Sequence, residues 1–506
     1  ASKQHVEAVK RRWVEWTIKA ARRAIAATAF TEGKRLAQLA VENARDDGQR
    51  VDALECLGNA HFYSYEGDEA WSVLTQAADL AAETGVRRLS DVATLYIRAL
   101  ASTVRWAGGV KHPPIPQELR DRIKRAEEML VAGDSVERVQ LLTVVGFWPF
   151  ATVGHPDTEL NNEVEARTAA LEAADMARRL GRVDLESAAL DGLGSTHIFR
   201  GDYLAADDVT RRRCELFESL TDPWERGDLC AVASWVAFER ARYDESIKWA
   251  SRGIEVAAND YPSVALHCRT WRGLARFRSG DWFGVLEDLA AVEAAAIGGV
   301  ALYTTPLVAA AAFVHHLRGD DHACDRLLEA LVPADEPEGP ELSRWAEFVA
   351  PIVARRGDPE TAFEMIDCTA HRRASRQGQL LIARCQVMLE ERQWRRFDEV
   401  ATHCRRQAAR HGVEALLAST QIVEAWCSLD TGALETARKQ LETGRSMADR
   451  VGDPWWTGLA ELGLAEACGR LALTEQASRH RSQAIDTFTR LGAIRELERA
   501  KAVRTG

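Results

Sequence analysis

Apolar residues recur three and four positions apart along most of the chain, whereas the alternating pattern of β-strands is nearly absent. The stretch 186–199 follows this helical period and stops at Gly201, and the period resumes over 205–220. Asp202 is placed to cap the second helix, and glycine suits the left-handed backbone at the end of the first. Because the link is so short, the two helices are predicted to be antiparallel.

The same turn returns along the chain. Gly-Asp pairs occur at 201–202, 280–281, 319–320 and 357–358, and related turn sequences occur at 242–244, 392–394 and 430–432. The step of about 35 to 40 residues is typical of solenoid repeats, in which each unit covers the apolar face of its neighbour. The predicted helix pairs cover 10–46, 49–83, 86–132, 135–180, 182–220, 223–258, 262–296, 300–332, 340–369, 374–411, 413–451 and 454–491, with a capping helix over 494–503.

Three segments interrupt the helical pattern. The proline-rich segment 108–116 cannot be helical, and 147–156 is an unusually aromatic break. The segment 332–340 is rich in proline and acidic residues and is the best hinge candidate. We therefore expect N-terminal helices over 1–48 that continue from an upstream module, a first block of repeats over 49–332, and a second block with a C-terminal cap over 333–506.

Leu57-Gly58-Asn59-Ala60 followed by Asp68-Glu69-Ala70 resembles a tetratricopeptide repeat, and Leu193-Gly194 with Ala206 keeps the same spacing. Later repeats depart from the pattern and have a longer period. The resemblance implies an all-α, right-handed superhelical solenoid of about twelve antiparallel helix pairs.

The two ends of the chain, around 20–37 and 484–500, are similar to the C-terminal repeat regions of bacterial signalling proteins. Those proteins join a cyclase or a helix-turn-helix domain to a STAND-type ATPase. This similarity implies a cytoplasmic segment of a larger signalling or transcription-regulating protein.

Composition and motifs narrow the function. The net charge of −11 argues against nucleic-acid binding, and no apolar run is long enough to span a membrane. Ten isolated cysteines indicate reduced thiols, as in the cytoplasm. Gly33-Lys34 lacks the preceding glycine of a phosphate loop, and His315 and His316 point apart on a helix. We therefore expect no catalytic residue, cofactor or metal, and regard an enzyme as the least favoured reading.

In such repeats the first helix of each pair lines the concave groove, while most of the fifteen tryptophans are expected in the core. The Arg211-Arg212-Arg213 run is interpreted as a solvated helix face. Trp148 is predicted to close over the groove from the 147–156 break. The predicted groove residues are Asn59, Phe62, Tyr63, Trp148, Asp191, Trp235, Phe238, His267, Phe277, Phe313, His316, Arg344, Glu347 and Arg355.

Two functions fit this pattern. The leading hypothesis is a non-enzymatic regulatory module that binds a protein or peptide partner in the groove. The alternative is a small-molecule sensor that controls an attached ATPase or other effector. The same residues are also compatible with a solvated groove that binds no ligand. The sequence does not identify a partner.

Overall fold

The structure, a computed structural model, describes residues 3–105, 109–151, 163–257, 260–295, 302–331, 345–372, 376–392, 394 and 397–504. Within these residues it contains helices and connecting turns, and no strand. The first half comprises α1 (Lys3–Ala26), α2 (Phe30–Asn43), α3 (Asp47–Tyr63), α4 (Gly67–Thr84), α5 (Leu89–Val104), α6 (Pro116–Met129), α7 (Val136–Gly146), α8 (Trp148–Ala151), α9 (Glu163–Arg179), α10 (Val183–Phe199), α11 (Tyr203–Glu215), α12 (Pro223–Glu239) and α13 (Tyr243–Ala257).

The second half continues in the same way. It comprises α14 (Pro262–Ser279), α15 (Trp282–Ala295), α16 (Thr305–Leu317), α17 (Asp321–Ala330), α18 (Ala346–Arg355), α19 (Pro359–Arg372), α20 (Gln377–Glu391), α21 (Phe397–His411), α22 (Glu414–Asp430), α23 (Leu434–Val451), α24 (Pro454–Arg470), α25 (Thr474–Leu491) and α26 (Ile494–Ala502). The predicted all-α array of about twelve antiparallel helix pairs is confirmed, and α26 is the expected additional helix. None of the described helices is both long and apolar enough to cross a membrane.

Two of the predicted interruptions can be located. Helix α6 begins at Pro116, whose missing N–H costs nothing in the first turn of a helix. The break predicted at 147–156 instead starts with the short helix α8, where Pro149 occupies an early position for the same reason. The predicted hinge at 332–340 lies outside the described residues, and the predicted domain boundaries remain predictions.

The repeated turn has the predicted chemistry. Gly201 ends its helix with a φ of +70°, and the Asp202 carboxylate accepts a hydrogen bond from the Ala205 amide at 3.3 Å. At the corresponding turns Ala241 and Arg392 adopt φ values of +57° and +51°. The turn geometry is therefore kept even where no glycine supplies it, at a cost of roughly 1–2 kcal/mol per residue.

The contacts divide the chain into two compact units. Unit 1 comprises Ala1–His197, Asp208–Cys230 and Arg252–Leu266, and unit 2 comprises Ile198–Asp207, Ala231–Ser251 and His267–Gly506. In each unit the first helices of successive pairs pack against one another, as α1 does against α3 and α18 against α20. The first helices therefore form an inner layer, as the repeat pattern requires.

Each unit also contains contacts between pairs that are not neighbours in the array. In unit 1 the Ser263 hydroxyl donates a hydrogen bond to the Ser64 carbonyl at 3.1 Å. In unit 2 Arg278 donates to the Gln379 side-chain oxygen at 2.8 Å, and Arg318 donates to the Leu491 carbonyl at 3.3 Å. An extended solenoid would hold these pairs apart. The inner layer of each unit is therefore partly covered by its own chain.

The turn geometry gives a test that involves the backbone alone. Ala472 is exposed and has a φ of +59°, so Ala472→Gly removes left-handed strain and is expected to stabilise the protein by about 1 kcal/mol. The matched control is Gly452→Ala, at a φ of +70° where an added Cβ meets no atom within 4 Å. It should destabilise the protein by a similar amount. Chemical denaturation measures the free energy of unfolding of both variants. If the two substitutions change it in the same direction, this account is contradicted.

Candidate functional site

Four of the predicted groove residues in unit 1 lie on two first helices. Asn59, Phe62 and Tyr63 lie near the end of α3, and Asp191 lies in the middle of α10. Asn59 remains half-buried and accepts a hydrogen bond from Arg98 at 3.3 Å. Phe62 and Tyr63 belong to an aromatic cluster, and Asp191 belongs to a neighbouring charged cluster.

The aromatic cluster joins helices that are far apart in the sequence. The Phe62 and Tyr63 rings lie 5.9 Å and 6.3 Å from the Trp224 ring, between centroids. Tyr63 also lies 5.9 Å from Tyr261 and 5.8 Å from Phe30. The sequence placed Phe62 and Tyr63 in an open groove, and the structure covers part of both rings with aromatic side chains of the same unit.

The charged cluster also contacts Trp224. The Arg105 guanidinium stacks 4.7 Å from the Trp224 ring and donates hydrogen bonds to Glu225 at 2.9 Å and Asp228 at 3.2 Å. Arg213 donates to the same two carboxylates at 2.8 Å and 2.6 Å.

Two further side chains complete the cluster. Arg213 lies 3.0 Å from an Asp191 oxygen and donates to the Ser187 hydroxyl at 3.0 Å. The Arg213 side chain is 1% exposed. The interpretation of the Arg211-Arg212-Arg213 run as a solvated face is therefore wrong for its last member, because the helix turns that side chain inward.

Three carboxylates share two guanidinium groups, and the pKa values of Asp191 and Glu225 are shifted in opposite directions. Burial raises the pKa of the Asp191 carboxyl to about 7, helped by Asp228 and Glu225 and opposed by Arg213 and Arg105. Burial also disfavours the charged form of Glu225, but Arg105, Arg213 and the Ser187 hydroxyl outweigh it and lower that pKa to about 2. Asp191 therefore gains a proton near neutral pH.

Trp148 occupies a different environment. It is 4% exposed in the hydrophobic core of unit 1, beside Phe147 and Leu141, and the Arg120 guanidinium lies 5.0 Å from its ring. A side chain in this position packs the core and presents almost no surface to a ligand.

In unit 2 the predicted residues Trp235 and His267 belong to a half-buried group that we call the aromatic ladder: Trp235, His267, Trp271 and Tyr303. The Trp235 and Trp271 rings are stacked, with centroids 5.0 Å apart and planes inclined by 11°. The Trp271 indole N–H donates to the His267 Nε2 at 3.0 Å, and the Tyr303 ring lies edge-on to His267 at 6.1 Å. The hydrogen bond and the stacking fix the orientation of these rings.

Most other predicted groove residues of unit 2 are buried by their own chain. Phe238 is 2% exposed, Phe313 is 2% exposed and Phe277 is 7% exposed. Phe277 contacts both Phe313 and Phe348, at centroid distances of 5.8 Å and 5.4 Å. These three predicted residues are part of the packed interior.

The predicted charged residues of unit 2 are mostly paired. Arg355 donates a hydrogen bond to Glu390 at 2.6 Å and pairs with Glu496, and all three side chains are almost fully buried. Glu347 pairs with Arg376 in the interior. His316 keeps part of its surface and lies 3.0 Å from Asp321, and Arg344 lies outside the described residues.

Sequence reasoning missed Trp271 and Tyr303 as members of the ladder. A signal was present, because Trp235 and Trp271 are separated by the same 36 positions as His267 and Tyr303. Equal spacing at the repeat period places side chains at corresponding positions of successive units. The aromatic partners Trp224 and Tyr261 of unit 1 are 37 positions apart, which also lies within the repeat period.

Two further features bear on ligand chemistry. In the described part of the chain, no group of three histidine, cysteine or acidic side chains is arranged to hold a metal ion. A surface depression of about 490 Å³ lies between α3 and α4 of unit 1 and is bordered by Arg50, Asp79 and Glu83. It contains none of the predicted groove residues.

No protein-family model and no curated protein matches this sequence. Solved structures with a similar arrangement of helices include yeast Tom70, with 13% identity, a TM-score of 0.35 and coverage of 91% of this chain and 97% of that one. For the Cut9 and Hcn1 hetero-tetramer of APC/C, the identity is 13%, the TM-score is 0.45, and the match covers 96% of this chain and 92% of that one. For the Rap protein complexed with competence and sporulation factor, the sequence identity is 12% and the TM-score is 0.41. The match covers 79% of this chain and 99% of that one. No inference about a partner follows from these likenesses.

Removal of Arg213 tests the charged cluster. Arg213→Met leaves three buried carboxylates with one guanidinium, and we expect it to lower the free energy of unfolding by about 3–5 kcal/mol. The matched control is Arg212→Met, at an exposed neighbour on the same helix, which should change stability by less than about 0.5 kcal/mol. Equal effects in urea denaturation would show that the cluster does not hold the unit together.

The raised pKa of Asp191 predicts a pH dependence. Because the folded pKa of about 7 exceeds the value of about 3.9 expected when unfolded, the folded state binds more protons between these limits. The stability contributed by Asp191 therefore falls as the pH rises towards 7. Asp191→Asn removes this titration. The free energy of unfolding of the variant minus that of the wild type should therefore increase from pH 5 to pH 8. If urea denaturation gives the same difference between variant and wild type at both pH values, the assignment is contradicted.

Proposed function

We propose that this protein is a non-enzymatic recognition module that binds an extended segment of a protein or peptide partner along the aromatic ladder. The observation that carries the proposal is that Trp235, His267, Trp271 and Tyr303 all keep exposed surface. Most other predicted groove residues of unit 2 are buried by their own chain, which leaves the ladder as the inner-layer surface best suited to a partner.

The physical properties of the ladder suit recognition. Aromatic side chains contribute a large apolar area to an interface and lose little conformational entropy. Here the Trp235 and Trp271 rings are already fixed by stacking, and the His267 hydrogen bond holds Trp271 in place. A surface that is ordered before binding avoids the cost of ordering it in the complex.

The repeat supports an extended ligand. The two tryptophans come from corresponding positions of α12 and α14, and His267 and Tyr303 repeat the same relation one unit further on. A ligand that follows successive units therefore meets an aromatic group at each step. An extended peptide with apolar or aromatic side chains at regular intervals fits this arrangement.

A random peptide display library selected on the full chain supplies a probe for the test. We expect the selected peptides to bind Trp235→Ala and Trp271→Ala at least about tenfold more weakly than the wild type, since an aromatic residue at the centre of an interface contributes 2 kcal/mol or more. Fluorescence anisotropy with labelled peptide gives the affinities. Circular dichroism and the melting temperature confirm that each variant is folded.

The control is Phe283→Ala, which removes an aromatic side chain that is 67% exposed on the second helix α15. It should leave peptide affinity unchanged. Unchanged binding by both ladder variants would exclude the ladder as the site. A library without binders, together with a metabolite that raises the melting temperature of the wild type but not of Trp271→Ala, would favour the small-molecule sensor instead.

We also propose that the chain acts as the cytoplasmic regulatory part of a larger bacterial signalling or transcription-regulating protein. The support is the similarity of the segments 20–37 and 484–500 to the repeat regions of such proteins. Sequencing the locus from which this chain derives tests the proposal, and an effector module in the same reading frame is the expected result.

A further inference from the structure

Helix α1 carries an apolar stripe that faces solvent. We call Val6, Val9, Trp13 and Trp16 the exposed stripe; they are 40%, 53%, 45% and 60% exposed. Their spacing of three, four and three residues places them in one narrow line along the helix, as at the a and d positions of a coiled coil. Four large apolar side chains in one exposed line are more than the scattered surface residues of a soluble protein.

The exposed stripe points away from the rest of unit 1. Arg11 and Arg22, on the side of α1 that faces α3, pair with Asp46 at the start of α3 and Asp52 within it. With 3.6 residues per turn, the stripe lies about 170° around the axis from these arginines. It therefore faces the position where another helix would continue the stack formed by α1 and α3.

The charges beside the stripe identify the chemistry of a partner. Helix α1 contains seven lysine and arginine residues and two glutamates, in a chain whose net charge is −11. Arg12, Lys19 and Arg23 are exposed along the edge of the stripe that faces away from the core, and the Lys19 ammonium lies 4.9 Å from the Trp16 ring. A helix that covers the stripe must pass beside these cations, so acidic side chains on it would be favoured.

We propose that the exposed stripe of α1 docks an acidic amphipathic helix of a partner protein. Apolar residues of the partner at a and d positions pack against Val6, Val9, Trp13 and Trp16, and its flanking glutamates or aspartates lie beside Arg12, Lys19 and Arg23. A second copy of this chain paired antiparallel through α1 is a poor occupant, because that arrangement brings the two basic edges together. This surface is separate from the aromatic ladder and does not depend on its function.

The narrowness of the stripe favours a helix over a lipid surface. A helix that lies in a membrane interface has a broad apolar face, whereas here the remaining apolar side of α1 is buried. Val14, Ile18 and Ala21 pack in the core with Ala37 and Leu57. What remains exposed is one line of side chains, which matches the seam that a single partner helix covers.

The test uses a synthetic four-heptad peptide with leucine at a and d and glutamate at e and g, and a second peptide with lysine in place of glutamate. We expect the full chain to bind the acidic peptide at least tenfold more tightly than the basic one in fluorescence anisotropy. The double variant Trp13→Ala/Trp16→Ala should lose at least tenfold in affinity, and Phe283→Ala should lose none. Charge reversal in Arg12→Glu/Lys19→Glu should reverse the preference between the two peptides.

Four results would overturn the proposal. Equal affinity for the two peptides, or affinity that survives the double tryptophan variant, would show that the stripe does not select an acidic helix. Sedimentation equilibrium that shows a dimer lost in Trp13→Ala/Trp16→Ala would assign the stripe to a second copy. Stripe-dependent binding to phosphatidylserine vesicles without binding to the acidic peptide would assign it to a membrane. Because all substituted side chains are exposed, melting temperatures should stay close to that of the wild type.

Discussion

Buried guanidinium groups shared by carboxylates from different helix pairs are the interaction on which the packing of each unit depends. In unit 1, Arg213 and Arg105 bind the same two carboxylates, Glu225 and Asp228, although Arg105 comes from the end of α5. In unit 2, Arg355 of α18 binds Glu390 of α20 and Glu496 of α26. Stacking of neighbouring repeats buries apolar faces, but it does not specify how far the array curves. A buried charge without its partner is costly, so these pairs favour one curvature over others.

The helix pairs could be predicted from the sequence because their signals are local. The turn at Gly201-Asp202 combines a left-handed glycine with a capping carboxylate, and both are visible in the sequence. The same reasoning located pairs whose turns contain Ala241 or Arg392, because the period persisted where the glycine did not. It was less successful at 147–156, which was predicted as an aromatic break although its first residues form the short helix α8, with Pro149 in the first turn.

The candidate site could be predicted only in part, because exposure depends on contacts between distant pairs. Trp235 and Phe238 lie on the same helix within one turn, yet Trp235 keeps exposed surface and Phe238 is 2% exposed. Phe277 and Phe313 were expected in a groove and instead pack together with Phe348 from a later pair. Helical periodicity shows which side of a helix a residue occupies. It does not show whether another part of the chain covers that side.

The aromatic residues of this protein therefore differ in role according to what covers them, and this difference locates the surfaces available to partners. Trp148 and Phe277 are covered by their own units and contribute to stability. The ladder around Trp271 and the stripe around Trp16 keep exposed surface, and an exposed tryptophan has an unfavourable contact with water that a partner can relieve. The two surfaces also differ in their surroundings, since the ladder lies on the inner layer of unit 2 and the stripe lies beside a basic edge on α1. The two proposed binding surfaces are therefore chemically distinct, and each can be tested without the other.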